Sequence, residues 1–243
     1  MHRFFLSPER IAGDRIVIEG KLVYQLRRVL RLGGGEHIIV LDDSGYEYEV
    51  ELGRASGHQI EGKVLSRTLS PGEPGIRIVL FQGLLKATKF EFVLQKGTEL
   101  GIAAFVPLLC QRSVADIPGE RRIARWQNII REAAEQSHRG RLPALFPATD
   151  FGHACGPVTA TSLLFQEGEK GLASALRRWP APPPALNLFI GPEGGFSAAE
   201  VELAKQQGIV PVGLGRRILR AETAALVAAA AILYHFGELG DGD

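Results

Sequence analysis

Residues 1 to about 70 read as mostly β, in short apolar runs separated by turn residues. Tyr46, Tyr48, Val50 and Leu52 alternate with Glu47, Glu49 and Glu51, which predicts a strand with one buried and one charged face. His37 to Leu41 predicts its partner, and Asp42-Asp43-Ser44-Gly45 the turn between them, so 37–52 reads as a hairpin. Arg15 to Glu19 and Ile60 to Ser66 predict further strands, with the chain reversing over Gly53 to Gly57. Lys21 to Arg31 breaks the period: Leu22, Leu26, Val29 and Leu30 are spaced for a short helix.

Pro71-Gly72-Glu73-Pro74-Gly75 reads as a linker, and beyond it the grammar changes. Ile76 to Phe81 is a continuous apolar run, as in a strand covered on both faces. Lys89 to Leu100 is helical, with Phe90, Val93, Leu94 and Leu100 on one side. Ala103 to Leu109 predicts a strand. Glu120 to His138 predicts a long helix whose stripe is Ile123, Trp126, Ile129, Ile130, Ala133 and Ala134. Strands follow at Ser162–Phe165, Leu186–Ile190 and Val210–Leu214. Helices are predicted near 170–178, at Ala198–Gln207 and at Ala221–Phe236. Such alternation predicts an α/β domain over 76–243, a parallel sheet with helices on both faces, preceded by a small β domain over 1–70.

Composition narrows the function classes. The net charge is +1, so any anion must be held by local patches rather than by a whole-protein field. Cys110 and Cys155 lack a C-x-x-C spacing, which fits a reducing compartment. Met1 to Leu6 lacks the apolar core of a signal peptide, and the greasy run Ala224–Phe236 is too short to cross a bilayer. We therefore expect a cytoplasmic protein with no membrane association. The six histidines show no ligand spacing, so no metal is expected.

Two segments carry candidate chemistry. Gly191-Pro192-Glu193-Gly194-Gly195-Phe196 leaves a buried strand and enters a helix whose start is marked by Ser197 and Glu200, an S-x-x-E capping box. Its glycines permit tight turning and close backbone approach to a ligand, and it sits where open α/β sheets bind ligands. It is neither G-x-G-x-x-G nor a phosphate-binding G-K-[ST] loop, which weighs against a nicotinamide enzyme. The second segment, Leu214-Gly215-Arg216-Arg217-Ile218-Leu219-Arg220-Ala221-Glu222-Thr223-Ala224, also links a strand to a helix. Its arginines stand at a helix start, where the macrodipole disfavours cations, which points to a negative partner such as RNA phosphate or a carboxylate.

Taken together, these two segments resemble the SPOUT superfamily of methyltransferases, and within it the RsmE family. Arg28-Val29-Leu30-Arg31, Gln95-Lys96, Glu99-Leu100-Gly101, Arg112-Ser113-Val114 and Glu132 to Ser137 carry the resemblance across nearly the whole chain. Tyr24-Gln25 departs from it, standing where the family pattern has a histidine. The resemblance implies a trefoil knot in the C-terminal part, a PUA-like β-barrel for RNA binding at the front, and a homodimer packed partly through the last helix. It implies S-adenosylmethionine as cofactor, held by Phe165, Gly191, Gly194, Gly195, Leu214, Gly215, Ile218, Leu219 and Arg220. The implied reaction is methylation of N3 of a uridine in small-subunit ribosomal RNA, free or in the assembled subunit.

N3 carries a proton, so the reaction needs a base or an anion-stabilising donor. Arg220 is the candidate stabiliser, and Glu193 and Glu222 are the candidate bases. For RNA contact the candidates are Arg3, Arg27, Arg28, Arg31 and Arg112, with Arg121, Arg122, Arg125, Arg139 and Arg141 as further members of a second patch. Two other functions compete: a ribose 2′-O-methyltransferase of the same superfamily, and a non-catalytic RNA-binding assembly factor. Loss of a cofactor loop would mark the latter, and both loops are intact.

Overall fold

A computed structural model describes residues 1–86, 88–156 and 160–240. The chain divides into two compact units. Met1–Glu73 with Ala134–Leu142 form the first, and Pro74–Ala133 with Pro143–Asp243 the second.

The first unit holds β1 (Arg3–Phe5), β2 (Ile11–Ala12), β3 (Arg15–Glu19), α1 (Lys21–Tyr24), β4 (His37–Leu41), β5 (Tyr46–Ser56) and β6 (Gln59–Leu69). The strands form a six-stranded sheet ordered β1-β4-β5-β6-β3-β2. Its pairings are antiparallel except for β1 on β4. The expected hairpin is present, with Val50 opposite Ile38 and Tyr48 opposite Val40. The expected reversal over Gly53–Gly57 occurs only at the end of that stretch. β5 runs on to Ser56, the register shifts between Leu52 and Ala55, and the chain turns at Gly57 (φ +59). A Cβ on Gly53 would meet the Glu61 carbonyl oxygen at 2.7 Å, so this glycine serves close strand approach at a bulge. The predicted helix over Lys21–Arg31 is also different. After α1 the turns widen into a π-helix over Gln25–Val29, with the Leu30 amide reaching the Gln25 carbonyl at 2.9 Å. Val23 and Leu26 are buried, and Tyr24, Arg27, Arg28 and Val29 are exposed.

Ala134–Leu142 belongs with these strands rather than with the α/β part. Arg139 is 2% exposed and pairs with Glu73 at 2.9 Å. A Cβ on Gly72 would lie 2.2 Å from the His138 carbonyl oxygen. The Pro/Gly-rich stretch is therefore packed at its start, not a free tether.

The second unit contains β7 (Arg77–Gly83), α2 (Thr88–Glu99), β8 (Ala104–Leu109), α3 (Glu120–Gln136, whose last turn counts with the first unit), β9 (Ala144–Leu145), β10 (Thr149–Asp150), α4 (Phe151–Ala154), β11 (Thr161–Phe165), α5 (Leu172–Leu176), β12 (Ala185–Ile190), α6 (Ala198–Gln206), β13 (Val210–Val212) and α7 (Ala221–His235). Every strand pairing is parallel, in the order β10-β8-β7-β12-β11-β13, with β9 also on β8. The pleat sends alternate residues to two separate cores. Ile78, Leu80, Leu188, Ile190, Leu163 and Phe165 join α2, α3, α5 and α7. Leu164, Phe189 and Leu108 join α4 and α6 on the other face. The predicted α/β architecture is thus observed. No helix among the described residues is long and apolar enough to cross a membrane.

Candidate functional site

The carboxyl ends of β11, β12 and β13 open onto a cavity of about 530 Å³. Ligands of open α/β sheets bind at this end. Its lining comes from the two segments singled out by sequence, from the loop after β11, and from Lys89 and Arg112.

The Gly191–Phe196 loop is braced from several sides. The Gly195 amide donates to the Pro192 carbonyl at 2.9 Å, closing a tight turn with Gly195 at φ +66. Arg112 donates to the carbonyls of Gly194 and Phe196 at 3.1 and 3.4 Å. The capping box forms as expected: Glu200 N donates to Ser197 Oγ at 3.2 Å, and Ser197 N to Glu200 Oε2 at 2.7 Å. Glu200 also accepts from the Gln111 amide at 2.8 Å. Beneath the loop, Phe196 packs with Cys110, Phe151 and Cys155. Burial pushes both thiols up to about 12.

The Leu214–Arg220 segment is built differently. β13 ends at Val212, not at Leu214 as predicted, because Gly213 turns to the loop after β11. Its amide donates to the Lys170 carbonyl at 2.8 Å, and its carbonyl accepts from Leu172 at 2.9 Å. A Cβ on Gly213 would meet the Glu169 carbonyl oxygen at 2.7 Å. Gly215 has φ +103, a conformation that favours glycine. Gly215 to Ile218 and Arg220 are exposed. Arg220 caps α7 with no side-chain hydrogen bond.

All the residues expected to hold a cofactor come together here: Phe165, Gly191, Gly194, Gly195, Leu214, Gly215, Ile218, Leu219 and Arg220 each line the cavity. Glu193 lines it too and pairs with Lys89 at 3.2 Å. Burial raises the Glu193 carboxyl, but hydrogen bonds from its own amide, from Lys89 and from the Lys86 amide outweigh it. The net effect holds the group below the usual carboxylate range. Glu222 does not line the cavity. Its Oε2 is buried with no hydrogen-bond partner among the described residues, at the first turn of α7 where a carboxylate favours the dipole. Sequence reasoning missed Lys89, Gln166 and Glu167, which also line the cavity, as does Arg217 from the second segment. Gln166 was findable, since it lies just beyond the carboxyl end of a predicted strand.

The candidate RNA-binding arginines separate. Arg27, Arg28 and Arg31 are exposed on and just after the widened turn, and Arg31 takes the left-handed φ of +59. Arg3 is committed to an ion pair with Glu47 at 2.5 Å, its side chain 11% exposed. Arg112 is tied to loop carbonyls, Arg125 pairs with Glu91 at 2.7 Å, and Arg139 is buried on Glu73.

Comparison with known proteins places this site in context. Residues 72–233 match the sequence model of an RNA methyltransferase domain family. The ribosomal RNA small subunit methyltransferase E of Bacillus subtilis is 36% identical, over 100% of both chains. That of Synechocystis is 34% identical over 95% of this chain and 77% of its own. Among solved structures, the ribosomal RNA small subunit methyltransferase E of Neisseria gonorrhoeae, bound to S-adenosylmethionine, superposes with a TM-score of 0.89. It is 31% identical, over 99% of this chain and 100% of that one.

Proposed function

Because the chain belongs to the ribosomal RNA small subunit methyltransferase E family, we propose that it moves a methyl group from S-adenosylmethionine to N3 of a uridine in 16S, small-subunit, ribosomal RNA. The observation that carries this reading is the convergence of all the cofactor-assigned residues on one cavity at the carboxyl edge of the sheet. At about 530 Å³ it falls within the usual range for small-ligand sites, roughly 300–1,000 Å³. Its chemistry fits as well. Ile190, Phe165, Leu214, Ile218 and Leu219 offer apolar surface for a purine. The glycine-rich backbone of Gly191–Gly195 offers polar groups with no side chains in the way.

When bound, S-adenosylmethionine supplies a methyl on a sulfonium, a leaving group that needs no protonation. The chain then has to orient the uracil and manage the N3 proton. Arg220, unpaired among the described residues, stabilises the uracil oxygens as negative charge develops on the ring. Lys89, Arg112 and Arg217 add to a positive cavity rim. Glu193 accepts the proton: it is held ionised, the competent form, and the surrounding cations acidify N3–H enough for a weak base to serve. Glu222, outside the lining, supports the start of α7.

Three further features belong to this reading. The loop after β11 and the turn at Gly213 interlock through backbone hydrogen bonds, which supports a trefoil knot. The six-stranded sheet of the first unit supports a PUA-like RNA-binding barrel, with Arg27, Arg28 and Arg31 as its exposed cations. An apolar hollow lined by Leu172, Leu176, Val227, Ala231, Tyr234 and Leu239, with Tyr234 73% exposed, supports a homodimer through α7.

The test is product analysis. The protein is incubated with methyl-labelled S-adenosylmethionine and small ribosomal subunits lacking the modification, and the nucleosides are identified by mass. Label in N3-methyluridine is expected. Label in a 2′-O-methyl nucleoside would move the reaction to the ribose, and no label from a cofactor-bound protein on either subunits or free small-subunit RNA would overturn the reading.

A further inference from the structure

β7 is apolar from Ile78 to Phe81 and then places a glutamine, Gln82, in the same interior. Gln82 is 0% exposed. Burying an amide is costly unless its groups are satisfied, and here only half are. Nε2 donates to the carbonyls of Gly83 at 3.1 Å and Gly191 at 3.3 Å. Two carbonyls face one end of the amide, so that end is the NH2. Oε1 is buried with no hydrogen-bond partner among the described residues. A leucine would avoid that cost, so the glutamine has to be explained by what its NH2 holds.

What it holds is the root of the Gly191–Phe196 loop. β12 pairs with β7 up to Ile190 opposite Gln82. β7 continues on its other side, with Gly83 opposite Leu108 of β8. Gly191 is thus the first residue after β12, just beyond the ladder, and the Gln82 side chain holds its carbonyl there. Gly191 is followed by Pro192, which has no amide hydrogen, so this carbonyl sets the direction of the peptide from which the turn starts. Gly83 permits the approach, because a Cβ there would lie 2.3 Å from the Pro192 nitrogen.

We propose that Gln82 is a positioning residue: by donating to the Gly191 carbonyl it aims the Gly191–Gly195 backbone at the cofactor. This rests on the methyltransferase reading. Gln82 does not line the cavity and touches no reacting atom. It acts through Gly191 and therefore bears on cofactor affinity more than on turnover of the saturated enzyme.

The test uses calorimetric binding of S-adenosylmethionine to the full chain, alongside kcat and KM. Gln82→Leu keeps the apolar packing but leaves Gly191 without its donor. Its Kd and KM for the cofactor are expected to rise about 10-fold to 100-fold, with kcat at saturation within about 3-fold of wild type. Gln82→Glu supplies a second readout that is independent of the leucine variant's folding. A buried carboxyl titrates nearer neutrality. Protonated, it donates to Gly191; ionised, it repels that carbonyl. Its cofactor affinity should therefore rise as pH is lowered from about 8 to about 6, while wild type stays flat. Wild-type affinity in Gln82→Leu, or a Gln82→Glu affinity with no pH dependence, would overturn the proposal. A wild-type protein that fails to bind the cofactor would instead count against the methyltransferase reading itself.

Discussion

The two loops that face each other across the cavity are made in opposite ways. Gly191–Phe196 is held by Gln82, Arg112, its own turn and the capping box, over a buried floor that includes Phe151 and Phe196. Leu214–Arg220 is anchored at its start, by the backbone bonds of Gly213. Beyond Gly215 its side chains are largely exposed, Ile218 at 79%. One wall is braced from within the fold, and the other lies open beyond Gly215. Binding energy goes furthest when part of a site is preorganised, and the braced wall supplies that part. The open wall carries Arg217 and Arg220, the latter being the cation proposed to respond to developing charge.

The comparison breaks most severely at Gly83. Gly83→Ala forces a methyl against the Pro192 backbone, which cannot yield as a flexible side chain would. We expect a loss of about 2 kcal/mol in stability, read by denaturant melting, and cofactor binding weakened at least about 10-fold, read by calorimetry. A variant that binds normally would mean the braced wall tolerates displacement. The open wall answers differently. Arg220→Ala should lower the single-turnover rate about 100-fold while cofactor affinity changes by less than about 3-fold. A proportionate loss of affinity would instead make Arg220 a cofactor clamp.

The smallest effect belongs to Glu193. Its carboxyl is depressed in the folded protein, so the stability it contributes is present above the unfolded pKa and is lost as pH falls through the lower folded value. The pair with Lys89 is partly exposed and is worth about 0.5 kcal/mol. Glu193→Gln should therefore melt slightly earlier than wild type at neutral pH, with the gap closing only below the ordinary carboxylate range. A gap that persists in strong acid would assign the difference to something other than this charge. If Glu193 accepts the N3 proton, the same variant also slows single turnover, without weakening cofactor binding.

The same contrast between braced and open governs what could be read from the sequence. Long elements were legible. The alternation of Tyr46 to Leu52 and the apolar run at Ile76–Phe81 each carry a period or a length that side-chain burial imposes. Both cavity loops were legible because glycines, a capping box and misplaced cations are local signals. Unread were β1, the two-residue strands β2, β9 and β10, and α4, which are too short to show a period. Gln82 was invisible for a different reason: its partner, Gly191, is 109 residues away, and a single polar residue at a strand end carries no local pattern. The packing of Arg139 on Glu73 likewise depends on a return of the chain that no window reveals. Such arginines look like free cations in a sequence, and the structure shows which are already committed.

Backbone hydrogen exchange, measured with and without S-adenosylmethionine, tests the account most directly. The account predicts that residues 214–221 gain strong protection on binding, while 191–196 are already slow and change little. Protection confined to 191–196 would contradict the division of the two walls. No change at either loop would contradict the assignment of this cavity to the cofactor.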